Sequence, residues 1–450
     1  MRIQQEYPRV HATDGGSGIV LGFAAIRGAL EARWRAVLPP FGAAASARVS
    51  TTGGPPAPRS TFRWQPVVAQ AAALWAVSRL ALLAYTFFAL HLSVPAVQVR
   101  FGPPFPDALY AVWQHWDANW YFSIARLGYW NPQSTAFFPL FPLLIQAVSL
   151  LLGPGHLPLA AWLAGNLGTL LAFAGLALLA AQEDTPGAAP WALRALVVYP
   201  LAFFLAAPYT EGLFLGLAAL ALFFARRGAW RWAALCAFLA ALTRLTALIL
   251  ILPLLWELAR RSVARVDGRW RWTGGARALG SAVLLLAAVP AGFALYAAYL
   301  GARFGDPLIF MAVEQAYWHH QSMPLWQSLP TAVGNLFAAP PWSHEQARMF
   351  VDYVPLALFA ALTFATLRRV PVTFSLYTLG LLFLSTASPI PGNGDIYLSA
   401  GRYLLAAAPI FLLAGRWMRR APWLDLLLTA GGLTIQAVLA AQFISGNWII

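Results

Sequence analysis

The feature that most restricts this chain is the alternation of apolar runs of bilayer length with short connections in which the basic residues gather. In lipid, an apolar run of about 20 residues satisfies its backbone only as a helix, so a chain with many such runs is committed to a helical membrane bundle. Composition agrees: 60% of the residues are hydrophobic, 10% are charged and the mean hydropathy is +0.63. A soluble domain carries about 25% charged residues, which excludes a cytosolic enzyme, a disordered chain and an ordinary nucleic-acid binder.

Thirty basic against sixteen acidic residues leave a net charge of +14, and every basic residue is an arginine. Placed between apolar runs, these arginines set orientation in the bilayer rather than mark a nucleic-acid surface. Cys236 is the lone cysteine and lies inside an apolar run, so there is no disulfide framework. Residues 1–64 differ in kind: Gly, Ala, Pro and Ser dominate, and Arg2, Arg9, Arg27, Arg33, Arg35, Arg48, Arg59 and Arg63 face only three acids. The run Gly18 to Leu30, interrupted by Arg27, is too short for a signal-peptide core, so this region reads as a disordered basic cytoplasmic arm ahead of a membrane domain over 65–450.

Candidate spans are 66–91, 157–181, 191–207, 209–225, 230–246, 247–259, 278–300, 351–367, 371–387, 402–415 and 422–443, about eleven crossings in an all-α polytopic protein. Segment 136–152 tests the count. If it crossed, the connections holding Arg226 to Arg231, Arg260 to Arg277, Arg368 and Arg369, and Arg416 to Arg420 would all face outward, against the positive-inside rule. Pro139 and Pro142 also interrupt its first turns, so it reads as an interfacial or re-entrant helix. Both flanks of 230–259 are arginine-rich, which calls for two short helices meeting near Arg244 at the outer interface. The N-terminus is then inside, and the outer connections are 92–156, 208–212, the neighbourhood of Arg244, 301–350 and 388–401.

Residues able to do chemistry collect in those connections. Residues 115–130 read H-W-D-A-N-W-Y-F-S-I-A-R-L-G-Y-W, with Asp117 flanked by Trp116 and Trp120. Indoles half-dry a carboxylate and raise its basicity, which suits a general base acting on a hydroxyl, and aromatics suit a sugar ring. Equally, Asp117 is placed to start an interfacial helix, with the tryptophans as an aromatic belt. Arg126 lies nine residues on, about 180° round a helix from Asp117, so the two share a site only if the segment bends.

In A-A-P-Y-T-E-G, Tyr209 and Glu211 sit at a hairpin between spans, where a carboxylate is either a site residue or a partner for a helix N-terminus. Arg244 in A-L-T-R-L-T offers a planar fork of donors at headgroup depth, fit for a lipid phosphate; pairing with Glu211 is the competing account. Arg402, followed by Tyr403, opens a span after the polar loop 391–397, either as a second phosphate ligand or as an interfacial anchor whose partner would be Asp395. Loop 301–350 carries E-Q-A-Y-W-H-H-Q, in which Gln315, Trp318 and His319 are candidates for lining a substrate site. His319 and His320 diverge by about 100° on a helix and no H-x-x-x-H occurs, so a metal site is weakly supported. No P-loop, dinucleotide fingerprint or G-x-S-x-G is present.

W-D-A at 116–118, I-A-R-L-G-Y at 124–129 and F-F-P-L-F-P at 137–142 resemble the glycosylphosphatidylinositol mannosyltransferase 2 (PIG-V) family. A-x-Y-T-E-G-L-F ending at Phe214 and T-R-L-T at 243–246 are similar to two further blocks, so that the resemblance spans roughly 66–445. T-E-G and R-L-T-A depart from that family's S-E-S and R-x-N-G. The resemblance implies a GT-C glycosyltransferase: a multi-span protein, interfacial helices in its first outer loop, a polyprenyl-phosphate sugar as donor, and an acidic catalytic residue that falls on Asp117. Mannose would pass from polyprenyl-phosphate mannose to a glycolipid or glycan hydroxyl on the outer face of a bacterial plasma membrane. Arg244, Arg402 and Tyr403 would hold the lipid phosphate, and Trp116, Trp120, Arg126, Tyr209, Glu211, Gln315, Trp318 and His319 would line the substrates. Arginine then supplies the counter-charge and no metal or other cofactor is required. The rival readings are a lipid or sugar transporter, for which no internal repeat is found, and a structural subunit of a glycan-building complex.

Overall fold

The computed structural model describes residues 62–92, 107–153, 155–266 and 269–449. The expected N-terminal arm therefore lies almost wholly outside the described residues. The elements in chain order are α1 (Trp64–Leu92), α2 (Ala108–Ala111), α3 (Asp117–Leu127), α4 (Leu140–Leu152), α5 (Leu157–Glu183), α6 (Ala189–Val197), α7 (Glu211–Arg227), α8 (Trp230–Ala241), α9 (Ile251–Ser262), β1 (Val263–Val266), β2 (Arg269–Trp272), α10 (Gly275–Phe304), α11 (Ile309–Ala316), α12 (Leu325–Ala338), α13 (His344–Thr366), α14 (Val372–Ala387), α15 (Ala400–Tyr403), α16 (Ala408–Arg420) and α17 (Pro422–Ile444). The strands form one antiparallel hairpin, Val263 opposite Trp272, which the apolar pattern does not announce.

Among the described residues, five helices are long and apolar enough to cross a bilayer: α1, α5, α10, α13 and α17. Each of the other expected spans holds helix, either unbroken but under 18 residues or interrupted. The expected 191–207 run is α6 followed by a 3-10 turn at Ala202–Leu205, because Pro200 has no N–H to continue the ladder. The 402–415 run is α15, a 3-10 turn at Leu404–Ala406 and then α16, whose first turn holds Pro409. As the arginine flanks required, α8 stops at Ala241 and α9 begins only at Ile251, with Arg244 in extended conformation between them. In α4, Pro139 is the N-cap and Pro142 lies in the first turn, so the prolines start this helix rather than break it. It has 13 residues, short for a crossing.

The core is centred on α5 and α7. Gly212 and Gly216, one turn apart on α7, let the helix backbones touch: a Cβ at Gly216 would stand 2.7 Å from the Ala172 nitrogen, and one at Gly212 would stand 2.8 Å from that of Thr169. Gly216→Val is expected to push the helices apart at a cost of about 1–3 kcal/mol, seen as a lower unfolding midpoint in detergent. A midpoint equal to wild type would show that α5 and α7 are free to shift.

This packing fixes the two ends of α7. At its C-terminal end Arg226 pairs with Glu183 at 2.7 Å and with buried Glu257 at 3.4 Å, Glu257 also meets Arg260 and Arg261, and Arg416 meets Asp184 at 3.2 Å. At its N-terminal end, about 25 Å away for a helix of this length, lies Glu211. Arg79 lies midway along α1; it is buried and donates to the Leu205 carbonyl at 3.0 Å, where the broken α6 segment leaves carbonyls without helical partners.

Candidate active site

Four charged side chains from four chain segments form a continuous ion chain at the N-terminal end of α7. Arg402 Nη1 donates to Asp117 Oδ2 at 2.7 Å, Arg402 Nε lies 3.5 Å from Glu211 Oε1, and Arg244 Nη1 donates to the same Glu211 oxygen at 2.8 Å. Two carboxylates and two guanidiniums bring the formal charge of the chain to zero. Burial makes this balance necessary: the side chains of Glu211 and Arg402 are 3% and 9% exposed, and an unpaired charge there would be very costly. Asp117 and Arg244 are more open, at 21% and 19%.

Local structure explains how each member is aimed. Asp117 opens α3 just after Trp116, which takes a positive φ of 55°; the Tyr209 hydroxyl donates to the His115 carbonyl at 2.9 Å and holds the turn. Both carboxylates stand in the first turn of a helix, where the unpaired N–H groups favour negative charge. Arg244 extends from the break between α8 and α9, its guanidinium 4.9 Å from the Tyr403 ring. Arg402 is ringed by Tyr209 at 5.2 Å, Tyr403 at 5.4 Å and Phe204 at 5.5 Å. Aromatic faces favour a desolvated guanidinium and hold it in one orientation.

The backbone carrying Arg402 is clamped by an acid from within α13. Asp352 is fully buried and accepts N–H bonds from Ser399 at 3.1 Å and Gly401 at 2.6 Å, while the Tyr199 hydroxyl donates to the Gly401 carbonyl at 2.7 Å. Ser399 takes a positive φ of 68°, a conformation this clamp sustains. Asp395 does not pair with Arg402. It turns back to accept from its own loop at Tyr397 N, and burial pushes its carboxyl up to about 6. Asp352→Asn turns an amide N–H₂ toward one of the two donors, and is expected to loosen the loop by about 1–3 kcal/mol. If Arg402 holds a substrate, this raises KM for that substrate with the fold intact; an unchanged KM would separate the clamp from the site.

Other candidates fall at varied distances from this chain. Trp120 lies one turn along α3 from Asp117 and stacks with Trp130 and Phe137, ring centroids 5.7 and 5.5 Å apart, with the edges of Tyr317 and Trp318 at 6.3 and 5.8 Å. Trp116 turns away to pack edge-on against Trp448 at 4.7 Å. The group seated on the Asp117 carboxylate is therefore a guanidinium and not the expected pair of indoles. The segment does not bend, so Arg126 is exposed on another face of α3, and Gln315 and His319 are exposed. Among the described residues no group of three or more His, Cys, Asp or Glu side chains is placed to hold a metal ion.

Sequence reasoning passed over Asp352, Arg79 and Glu314. The first two carry a usable signal, an ionisable residue within an apolar run. Glu314 is one of few acids in the outer connections, and it stands close enough to Asp117 and Arg244 to feel both charges.

No protein-family model matches the chain, and no curated protein matches it. Among solved structures it is similar to ArnT from Cupriavidus metallidurans bound to undecaprenyl phosphate, at 17% identity and a TM-score of 0.45, over 84% of this chain and 63% of that one. The apo form of that protein gives 16%, 0.46, 83% and 63%. The oligosaccharyltransferase of Archaeoglobus fulgidus in complex with Zn and sulfate gives 13%, 0.38, 85% and 53%. The chain thus spans less than two thirds of the length of each, and at these scores the superpositions carry no argument about activity.

Proposed function

We propose that this protein is a GT-C-type glycosyltransferase that moves mannose from polyprenyl-phosphate mannose to a hydroxyl of a glycolipid or glycan, on the non-cytoplasmic face of a bacterial plasma membrane. The observation that carries the reading is the ion chain itself. A carboxylate with a free oxygen and two arginines with unspent donors meet at one end of a membrane bundle, opposite the arginine-rich end. Asp117 Oδ1 makes no hydrogen bond among the described residues, and each guanidinium has five N–H donors, of which Arg244 and Arg402 spend one apiece on a carboxylate.

The chemistry follows from this arrangement. The acceptor oxygen attacks the anomeric carbon, the bond from that carbon to the phosphate oxygen breaks with its electron pair going to phosphate, and the acceptor's proton passes to Asp117. A single displacement inverts the configuration. The departing phosphate needs no proton near neutral pH, so a second carboxyl acid, as in most glycoside hydrolases, is not called for. Arg244 and Arg402 stabilise the negative charge that develops on it. In the resting site Arg402 holds Asp117 Oδ2; a donor phosphate competes for the same guanidinium and so releases the carboxylate to act as a base. Trp120 and its aromatic neighbours offer a platform for a sugar ring beside Asp117.

The test is transfer of labelled mannose from synthetic polyprenyl-phosphate mannose by purified protein in nanodiscs, with total membrane lipid as acceptor. Label in a new glycolipid supports the reading. Donor binding without transfer would point to another sugar or acceptor, and no donor binding would overturn it.

A further inference from the structure

A cavity of about 250 Å³ opens between α1 and α17, the first and last of the long apolar helices. It is smaller than the roughly 300 Å³ at which pockets begin to take a whole drug-sized ligand. Leu82 and Tyr85 of α1, Phe173 of α5, and Leu433 and Gln436 of α17 line it together with buried Arg79. The helix faces beside its mouth are apolar and exposed, with Val77 and Leu80 on α1 and Leu433 and Ile435 on α17. In a bilayer such faces meet lipid chains.

Three arginines are buried among the described residues, Arg79, Arg402 and Arg416. Arg402 has Asp117 and Glu211, and Arg416 has Asp184. Arg79 pairs with no carboxylate among the described residues. Its Nη1 donates to the Leu205 carbonyl at 3.0 Å and to Asn166 Oδ1 at 3.5 Å, and its Nε to Ser78 Oγ at 3.3 Å. Nη2 makes no hydrogen bond among the described residues, which leaves two N–H donors over. The other polar groups on the wall are engaged: the Tyr85 hydroxyl donates to the Ala437 carbonyl, and the Gln436 amide to the carbonyls of Val197 and Tyr199 at 3.1 and 2.8 Å. A buried guanidinium without an anion is costly, and this one borders an open cavity.

The Leu205 carbonyl that Arg79 holds also accepts from Thr169 Oγ1 at 2.6 Å, and Thr169 packs on Gly212, the residue after Glu211. Arg79 therefore stands level with the ion chain. About 25 Å of α7 separate that level from the arginine-rich end, and a hydrocarbon core is about 30 Å thick, so headgroups at the opposite surface are within reach.

We propose that this cavity binds an anionic glycerophospholipid of the surrounding bilayer, with its phosphate on Arg79 Nη2 and one chain leaving between α1 and α17. The phosphate supplies the negative charge that Arg79 lacks, and a guanidinium edge with two free N–H groups suits its oxygens. The mouth lies among lipid-facing side chains, so the anion arrives attached to a chain and not as a hydrated ion. The volume accommodates the phosphate and the first carbons, and the rest of the chain stays in the bilayer. The inference rests on the membrane bundle and not on sugar transfer.

The experiment adds phosphatidylglycerol, phosphatidylcholine, oleate or sodium phosphate to the full-length protein in detergent, for wild type, R79Q, R79K and A81W. Retained lipid is read by native mass spectrometry, the unfolding midpoint is measured, and a phosphatidylglycerol with a photoreactive chain locates the site. Binding of anionic lipid at the arginine-rich end is common to all variants, so the difference between them is the readout. Wild type should hold one phosphatidylglycerol about 10-fold to 100-fold more tightly than R79Q, the range for losing hydrogen bonds from a charged group. R79K, which keeps the charge without the fork, should fall between them. A81W leaves Arg79 in place and closes the exposed mouth, so it should lose the same lipid while keeping the wild-type midpoint in lipid-free detergent; it reads the site even where R79Q does not fold. The photolabel should fall on 78–85 and 433–440. Equal retention of phosphatidylglycerol by wild type, R79Q and A81W would overturn the proposal. So would phosphatidylcholine held as firmly as phosphatidylglycerol, or a midpoint raised by oleate or sodium phosphate and not by phosphatidylglycerol.

Discussion

Asp117→Asn is expected to lower sugar transfer by about 10²–10⁴-fold, the range associated with losing a positioned proton acceptor, while donor binding is kept or strengthened. The second half of this expectation comes from the geometry. In the resting site Arg402 Nη1 is engaged by Asp117 Oδ2 at 2.7 Å, and a donor phosphate must compete for that guanidinium. A neutral amide holds Arg402 less firmly and leaves more of its donors for the phosphate. The variant should therefore show a lower Kd for polyprenyl-phosphate mannose together with almost no product, read by labelled-donor binding and by label transfer on the same preparation. Unchanged turnover would remove Asp117 as the base. A large loss of donor binding would mean instead that the Asp117 to Arg402 pair is part of the donor site as it stands.

How far the site was legible in the sequence follows from which interactions are local. Asp117, Tyr209, Glu211, Arg244, Arg402 and Tyr403 each stand out alone, as polar residues at the ends of apolar runs, and the fold brings all of them together. Their pairing was not legible. Arg402 has Asp395 seven residues before it, and sequence proximity favours that partner; the observed partner, Asp117, lies 285 residues away. Trp116 is next to Asp117 in sequence, yet the positive φ at this residue turns the two side chains apart. The bundle was legible as apolar runs, and the helix break at Arg244 through the arginines on its two flanks. The breaks within 191–207 and 402–415 were signalled by Pro200 and Pro409, which hydropathy alone passes over.

The second large effect is expected at Glu211, which touches both arginines. Glu211→Leu leaves Arg244 without its carboxylate and removes the charge that separates it from Arg402, in a place where the lost side chain is 3% exposed. Removing one partner of a buried pair costs up to about 3–5 kcal/mol, because the guanidinium left behind is only partly reached by water and cannot be neutralised. The unfolding midpoint in detergent should fall sharply. Combining Glu211→Leu with Arg244→Met replaces the pair by apolar groups of similar size and leaves the Asp117 to Arg402 pair in place, so most of the lost stability should return. Transfer should not return, because Met supplies no donor to a phosphate. The two outcomes together separate what the ion chain does for the fold from what it does for the chemistry. A double variant no more stable than the single one would mean that α7 depends on Glu211 for something other than charge balance. A double variant that transfers sugar would show that Arg244 is not needed by the donor phosphate.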